Sequence, residues 1–381
     1  MDFDFSEEQE MVRAMAREFT DEAVRPLAES IEANHQVPGE LLEQMAELGL
    51  MGIAIPEAYG GAGLGETGLC IVMEELTRGC FSTAATYGAH TSIGATSVEV
   101  GGSEEQKARF LPPMAAGEVL GAFALTESNA GSDPAAMATT AQRDGDQWVL
   151  NGEKIWITAG DIAGLTTVFA VTDREAGVKG LSAFVVPAGT PGFTVGKREE
   201  KMGQRGSSTV TLVLEDVRVP ADHLLGAEGS GFAVAMKTLD RGRLAIGANC
   251  LGCGREALAL SRAFAQEREA FGKPIAAQQA IQWMLADSAT ELYAIESMVY
   301  RAAWMCDAGR PFSRESAATK LFASEALDRI VDRGVQIHGG MGYSEECAIS
   351  RLYRDARVTR IYEGTSEIQR LVLARDVLKN G

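Results

Sequence analysis

Positive charge is what this sequence has least of. Lys and Arg number 35 against 53 Asp and Glu, a formal net charge of −18. So acidic a surface offers no basic stripe for a nucleic-acid backbone and no polybasic face for an anionic membrane, and neither partner is expected. Histidine is scarce: His35, His90, His223 and His338 are the whole complement. None stands at metal-ligand spacing from another, so no metal centre is expected. Of six cysteines, Cys250 and Cys253 form a CxxC without a second pair in an Ala/Leu/Gly-rich stretch. They read as buried thiols in a reducing compartment. No apolar run approaches the length of a membrane span. The N-terminal Met-Asp-Phe-Asp-Phe has no signal or transit character, and the C-terminal Leu-Lys-Asn-Gly is no peroxisomal address.

What is present divides by period. A chain of 381 residues is long for one core, so two or three packed units are expected. Residues 1–120 read as a helical unit. Ser6-Glu-Glu-Gln9 and Ser103-Glu-Glu-Gln106 are capping-box strings, and Glu40–Leu48 and Glu66–Leu76 repeat apolar residues at three and four. Ser82–Val100 carries almost no charge and reads as a helix buried on most sides. Gly63-Leu64-Gly65-Glu66-Thr67-Gly68 has GxGxxG spacing, but no strand precedes it and no βαβ unit follows. A dinucleotide-binding fold is therefore not expected.

Over residues 121–230 the period changes to two. Gln147–Leu150 and Glu153–Thr158 read as a hairpin joined at Asn151-Gly152, and Leu181–Val186 and Thr209–Val219 as further strands of a small antiparallel β domain. From residue 231 to 381 helical spacing returns in four segments near 231–268, 275–308, 313–337 and 345–378, enough for a bundle. The expected fold class is multidomain α+β: an N-terminal helical domain, a middle antiparallel β-barrel-like domain and a C-terminal four-helix bundle.

The last helical pattern is broken at one place, Arg360-Ile361-Tyr362-Glu363-Gly364-Thr365-Ser366-Glu367-Ile368-Gln369-Arg370. Gly364 interrupts it, and Thr365 or Ser366 can cap the helix that follows. Glu363 therefore sits at a helix-to-helix corner, where its carboxylate can enter a cleft from a rigid root. The string closely resembles the catalytic segment of the acyl-CoA dehydrogenases, flavoenzymes in which this glutamate is the base.

Four more strings in the same order strengthen the resemblance. Phe123-Ala-Leu-Thr126-Glu-Ser-Asn-Ala-Gly131-Ser132-Asp133 reads as a strand entering a polar loop. The resemblance implies FAD contacts from Phe123, Leu125, Thr126, Gly131 and Ser132, with Ser132 also touching acyl-CoA. Trp156-Ile-Thr158 is implied to hold the flavin ring, while Trp148 reads as core. Asp240-Arg241-Gly242-Arg243 is implied to contact substrate through Asp240 and Arg243, as is Gly364. Long-chain and isovaleryl-type members carry their base at the position of Gly242, which leaves Glu363 as the base on offer here. Arg268, Phe271 and Gln278, with Gln336, Gly339 and Gly340 of the glycine-rich Gln336–Tyr343 string, are implied to meet FAD of a neighbouring subunit or its adenosine half. Thr365 and Glu367 complete the FAD set. That arrangement implies a homotetramer.

The implied reaction is α,β-dehydrogenation of an acyl-CoA to the trans-2-enoyl-CoA, as in fatty acid β-oxidation, with electrons passing to an electron-transferring flavoprotein. A short- or medium-chain substrate is favoured, with branched-chain or aromatic acyl-CoA as the alternative. Acyl-CoA oxidases are usually longer, and a glutaryl-type enzyme needs a cation that residues 81–97 do not provide. A flavin-free scaffold is disfavoured by the intact Tyr362-Glu363-Gly364-Thr365. The expected location is the bacterial cytoplasm, or the mitochondrial matrix of a eukaryote.

Overall fold

The computed structural model describes residues 4–380. Met1–Phe3 and Gly381, read above for targeting, lie outside the described residues. Both capping boxes form. Ser6 Oγ accepts from the Gln9 amide at 3.2 Å while the Gln9 side chain accepts from the Ser6 amide at 3.0 Å, opening α1 (Glu7–Phe19). After α2 (Ala28–Asn34) and α3 (Gly39–Glu47) comes the buried α4 (Gly65–Gly79). The uncharged stretch is nearly all buried, as α5 (Phe81–Gly88), a π-helical segment Ala89–Ala95, and α6 (Thr96–Gly101). The second capping box opens α7 (Glu104–Ala115), and Gln106 Nε2 also donates to the Asp222 and Leu224 carbonyls at 2.7 and 2.8 Å.

Eight strands follow in one sheet: β1 (Gly121–Ala124), β2 (Thr140–Asp144), β3 (Gln147–Thr158), β4 (Leu165–Val171), β5 (Leu181–Pro187), β6 (Phe193–Arg198), β7 (Thr209–Pro220) and β8 (Leu224–Leu225). Their order is β6-β7-β3-β2-β4-β5-β8, with β1 beside β4. The sheet is mostly antiparallel, but β1 runs parallel to β4, pairing Gly121 with Leu165. The Asn151-Gly152 hairpin does not form. β3 runs straight through, with a register shift between Leu150 and Gly152. A Cβ on Gly152 would lie 2.4 Å from Thr139 Oγ1, so the glycine serves a bulge and a close approach rather than a reversal. The reversal lies six residues earlier, where Asp144 pairs with Gln147 around Gly145 at φ 62°.

The last third is helical. α8 (Gly231–Glu267) is followed by a small hairpin, β9 (Glu269–Ala270) and β10 (Lys273–Pro274), then α9 (Gln279–Asp307) and α10 (Ser313–His338). The fourth expected segment is two helices, α11 (Ala348–Ala356) and α12 (Ser366–Asn380), parted at the Glu363 corner. Leu69, Met73 and Leu76 of α4 share one core with Leu244, Ala248 and Leu251 of α8 and with Ala326, Leu327 and Ile330 of α10. The first and last thirds thus bury a common apolar interior, which fixes α8 and the Glu363 corner against the buried α4–α6 layer.

All six cysteines are free thiols, with Cys70, Cys80, Cys250 and Cys253 buried. Among the described residues, no helix is long and apolar enough to cross a membrane.

Candidate active site

α11 ends in a 3₁₀ turn, Arg357–Arg360, and α12 begins only at Ser366. The cap is Thr365, whose Oγ1 accepts from the Ile368 amide at 3.3 Å. Between them Glu363 and Gly364 both hold left-handed backbone, with φ of 52° and 89°. For a glutamate that conformation costs on the order of 1–3 kcal/mol and needs support from its surroundings. The support is visible. The Glu363 carbonyl accepts from Gln369 Nε2 at 3.2 Å and Arg243 Nε at 3.4 Å. The Gly364 carbonyl accepts from Lys320 Nζ at 2.7 Å and Gln369 Nε2 at 2.9 Å.

The Glu363 carboxylate is aimed at Gly242 on α8. A Cβ built there would lie 2.3 Å from Glu363 Oε2 and 3.0 Å from Ile93 Cγ2, so a side chain at 242 and this carboxylate position exclude each other. Oε2 is shielded from water yet has no hydrogen-bond partner. Burial pushes the Glu363 carboxyl up to about 7, with Arg243 and Lys320 restraining the rise. A half-buried glutamate with one shielded, unpartnered oxygen and a proton affinity near neutrality suits proton abstraction.

Asp240, expected at the substrate, bonds Arg243 Nη1 at 2.5 Å and also accepts from Ser313 Oγ. It orients Arg243, which reaches the Glu363 carbonyl.

A second group of expected residues gathers on the sheet. Phe123 and Leu125 are buried and Thr126 is half-buried. The Thr126 carbonyl accepts from the Ile155 amide at 2.9 Å, which sets the loop beside the second irregularity of β3, between Lys154 and Ile157. There Trp156 takes φ 62° and leaves its ring 54% exposed, with half-buried Thr158 two residues on. An indole held open on a strained bulge beside a polar loop is a platform for a flat aromatic ligand. Gly131 and Ser132 are exposed on that loop, and Gly131 has open space where a side chain would be.

The third group lies at the far end of α8 and α10. Phe271 and Gly272 both have positive φ, 54° and 76°, so the β9–β10 turn thrusts out the Phe271 ring, 95% exposed. Arg268 and Gln336 are exposed, and Gln278 is half-buried at the start of α9. His338 stacks on Phe264 with centroids 4.4 Å apart, ending α10 before the exposed Gly339 and Gly340. Among the described residues, no hydrogen bond or ion pair joins this group to the Glu363 corner or to the Trp156 platform.

Several supporting residues escaped the sequence reading. Lys154 is fully buried, donating to Glu127 Oε1 at 2.7 Å and to the Leu125 carbonyl at 3.1 Å. Glu127 in turn accepts from the Ala138 and Thr139 amides at 2.5 and 3.0 Å. This pair clamps the Leu125–Thr126 loop. Its signal was parity, because Lys154 lies on the same inward face of β3 as Trp148 and Leu150. Lys320 and Gln369 were legible only as polar residues on apolar helix faces. The GxGxxG string also has a structural account. The Asp307 carboxylate accepts from the Glu66 and Thr67 amides at 2.6 and 3.0 Å, filling the α4 N-terminus where a phosphate would sit. Among the described residues, no cluster of His, Cys, Asp and Glu could hold a metal ion.

Three family models cover nearly the whole chain: the acyl-CoA dehydrogenase N-terminal domain at residues 6–118, its middle domain at 122–217 and its C-terminal domain at 229–378. The chain belongs to the acyl-CoA dehydrogenase family, oxidoreductases of acyl-CoA thioesters. Among individual proteins it is similar to the acryloyl-CoA reductase (NADH) of Anaerotignum propionicum, 46% identical over 100% of this chain and 96% of that protein. It is similar also to the short-chain specific acyl-CoA dehydrogenase of Clostridium acetobutylicum, 43% identical over 100% of each. A chain of the solved structure described as "Electron transferring flavoprotein of Acidaminococcus fermentans: Towards a mechanism of flavin-based electron bifurcation" superposes with a TM-score of 0.98, at 43% identity over 100% of both chains.

Proposed function

We propose that this chain is an FAD-dependent short-chain acyl-CoA dehydrogenase: it converts a saturated acyl-CoA to the trans-2-enoyl-CoA with Glu363 as base and passes electrons to an electron-transferring flavoprotein. One observation carries the reading. Glu363 is half-buried, with Oε2 shielded, unpartnered and pressed against Gly242, at a corner whose backbone is held by Arg243, Lys320 and Gln369.

The α-proton of a thioester is far less acidic than a carboxylic acid, so the base needs help. A positioned general base is worth about 10²–10⁴ in rate. A donor to the thioester oxygen, where enolate charge grows, adds roughly 3–4 kcal/mol. The Glu363 N–H, which among the described residues donates to no protein acceptor, is available for that oxygen. FAD, when bound, supplies the hydride acceptor that no side chain offers. The platform fits it: Trp156 is held open, Thr126 and Thr158 flank it, and the Lys154–Glu127 pair fixes the loop. The Glu363→Gln variant is expected to keep its flavin and lose about 10²-fold or more in turnover; a near-normal rate would sink the assignment. An anaerobic visible spectrum with butyryl-, octanoyl-, palmitoyl-, isobutyryl- and glutaryl-CoA in turn tests the substrate, because only an accepted thioester bleaches the flavin.

A second reading concerns direction. The likeness to a reductase favours testing the reverse reaction, in which protonated Glu363 returns a proton to the α-carbon. NADH consumption with acryloyl-CoA, with and without an electron-transferring flavoprotein, separates the two.

Among the described residues no hydrogen bond or ion pair joins the third group to the platform, and the exposed Phe271 hairpin supports a subunit interface that brings the two together. That interface fits the homotetramer that the family resemblance implies. Free, buried thiols fit a reducing compartment, the cytoplasm or the mitochondrial matrix.

A further inference from the structure

We propose that Lys320 is a positioning residue for the catalytic base, its ammonium holding the Gly364 carbonyl so that the strained corner keeps the Glu363 carboxylate against Gly242. The inference rests on Glu363 being the base.

Lys320 lies on α10 among Ala317, Ala323, Ser324 and Leu327, with none of its surface exposed. Burying an ammonium costs several kcal/mol unless its charge and donors are satisfied. Among the described residues Lys320 forms no salt bridge. It donates to a backbone carbonyl, Gly364 O, at 2.7 Å. A buried cation directed at the peptide next to the base, rather than at an acid, indicates that this carbonyl must be held. The reason is local. Two successive left-handed residues turn the Glu363 and Gly364 carbonyls into the protein interior, where each needs a donor. Gln369 reaches both carbonyls, Arg243 reaches the first and Lys320 the second.

The charge has a separate consequence. The charged or titratable groups facing Lys320 are Cys250 and Arg243 of α8, Glu363 at the corner and Glu367 of α12. Those facing Glu363 are Arg243 and Lys320, with Glu66 of α4 within its field. Burial brings Lys320 down to about 8, so it remains cationic through neutrality. Its positive charge favours ionised Glu363. Removing the charge therefore moves the ionisation of Glu363, and the acidic limb of the rate profile, to higher pH.

The test compares Lys320→Met, Lys320→Arg and Gln369→Leu with the wild type as flavin-loaded enzymes. Two quantities are read: the pH profile of turnover, and the protonation midpoint of Glu363 taken from the carboxyl infrared band that Glu363→Gln abolishes. Lys320→Met is expected to raise the midpoint by about 1 pH unit and to cut turnover at neutral pH about tenfold, with flavin content retained. Lys320→Arg should restore the midpoint. Gln369→Leu, which removes a neutral donor, should lower turnover without moving it. A Lys320→Met enzyme with the wild-type midpoint and rate overturns the proposal, as does a Gln369→Leu midpoint displaced equally. If Lys320→Met does not fold, Lys320→Gln, which keeps a donor and loses the charge, carries the same expectations. The infrared midpoint needs no turnover, so an inactive wild type would refute the proposed reaction while this measurement still decides the role of Lys320.

Discussion

At position 242 the side chain is defined by what it leaves empty. A methyl group there would occupy the space of Glu363 Oε2, 2.3 Å away. Gly242→Ala is therefore expected to displace the carboxylate and lower turnover by about 10²-fold while the α8 helix, which accepts alanine readily, keeps its stability. Steady-state rates beside a thermal melt check both halves. The pH dependence is set at the same scale. Burial holds Glu363 up at about 7, and as the proposed base it works only when ionised, so turnover should rise with pH through about 7 and level off above it. A pH profile of the half-reaction tests this, and a limb near the ordinary glutamate value would show that burial does not control the base.

Helices and strands of this chain owe their ends to specific side chains, and those ends place the chemistry. Asp307, from the last turn of α9, caps α4 through the Glu66 and Thr67 amides and the Thr67 hydroxyl, which donates at 2.5 Å. Asp307→Ala should cost about 1–2 kcal/mol, seen as a lower melting temperature with the flavin retained. The Lys154–Glu127 pair ties β3 to the loop after β1. Lys154→Met leaves Glu127 buried without its cation, a loss of about 3–5 kcal/mol, and should weaken flavin retention on gel filtration. Element ends were also where the sequence was read best and worst. Both capping boxes and the Thr365 cap follow from a few adjacent residues, and they formed as read. Asn151-Gly152 has hairpin chemistry, yet Thr139 and the continuous pairing of β3 with β7 outweigh it. Local turn preference is worth little against a ladder that extends on both sides.

For the molecule as a whole, one chain leaves Phe271 in solvent, and among the described residues no hydrogen bond or ion pair joins the Arg268–Gln336 end to the Trp156 platform. Phe271→Asp is expected to weaken subunit association and flavin retention together, measured by light scattering and by absorbance after gel filtration; an intact tetramer with full flavin would remove the interface from the proposed function. Sequence by itself determined the alternation of helical and strand periods, the capped helix starts, and the broken helix that presents Glu363. Each is set by neighbours within a turn or two of chain, where spacing and cap chemistry decide. Tertiary structure alone decided the rest. It ran β1 parallel to β4, brought Gly242 under a carboxylate 121 positions further along the chain, and sent Lys320 and Gln369 to the two strained carbonyls. Such contacts depend on which faces a shared core brings together, and no local pattern encodes that choice.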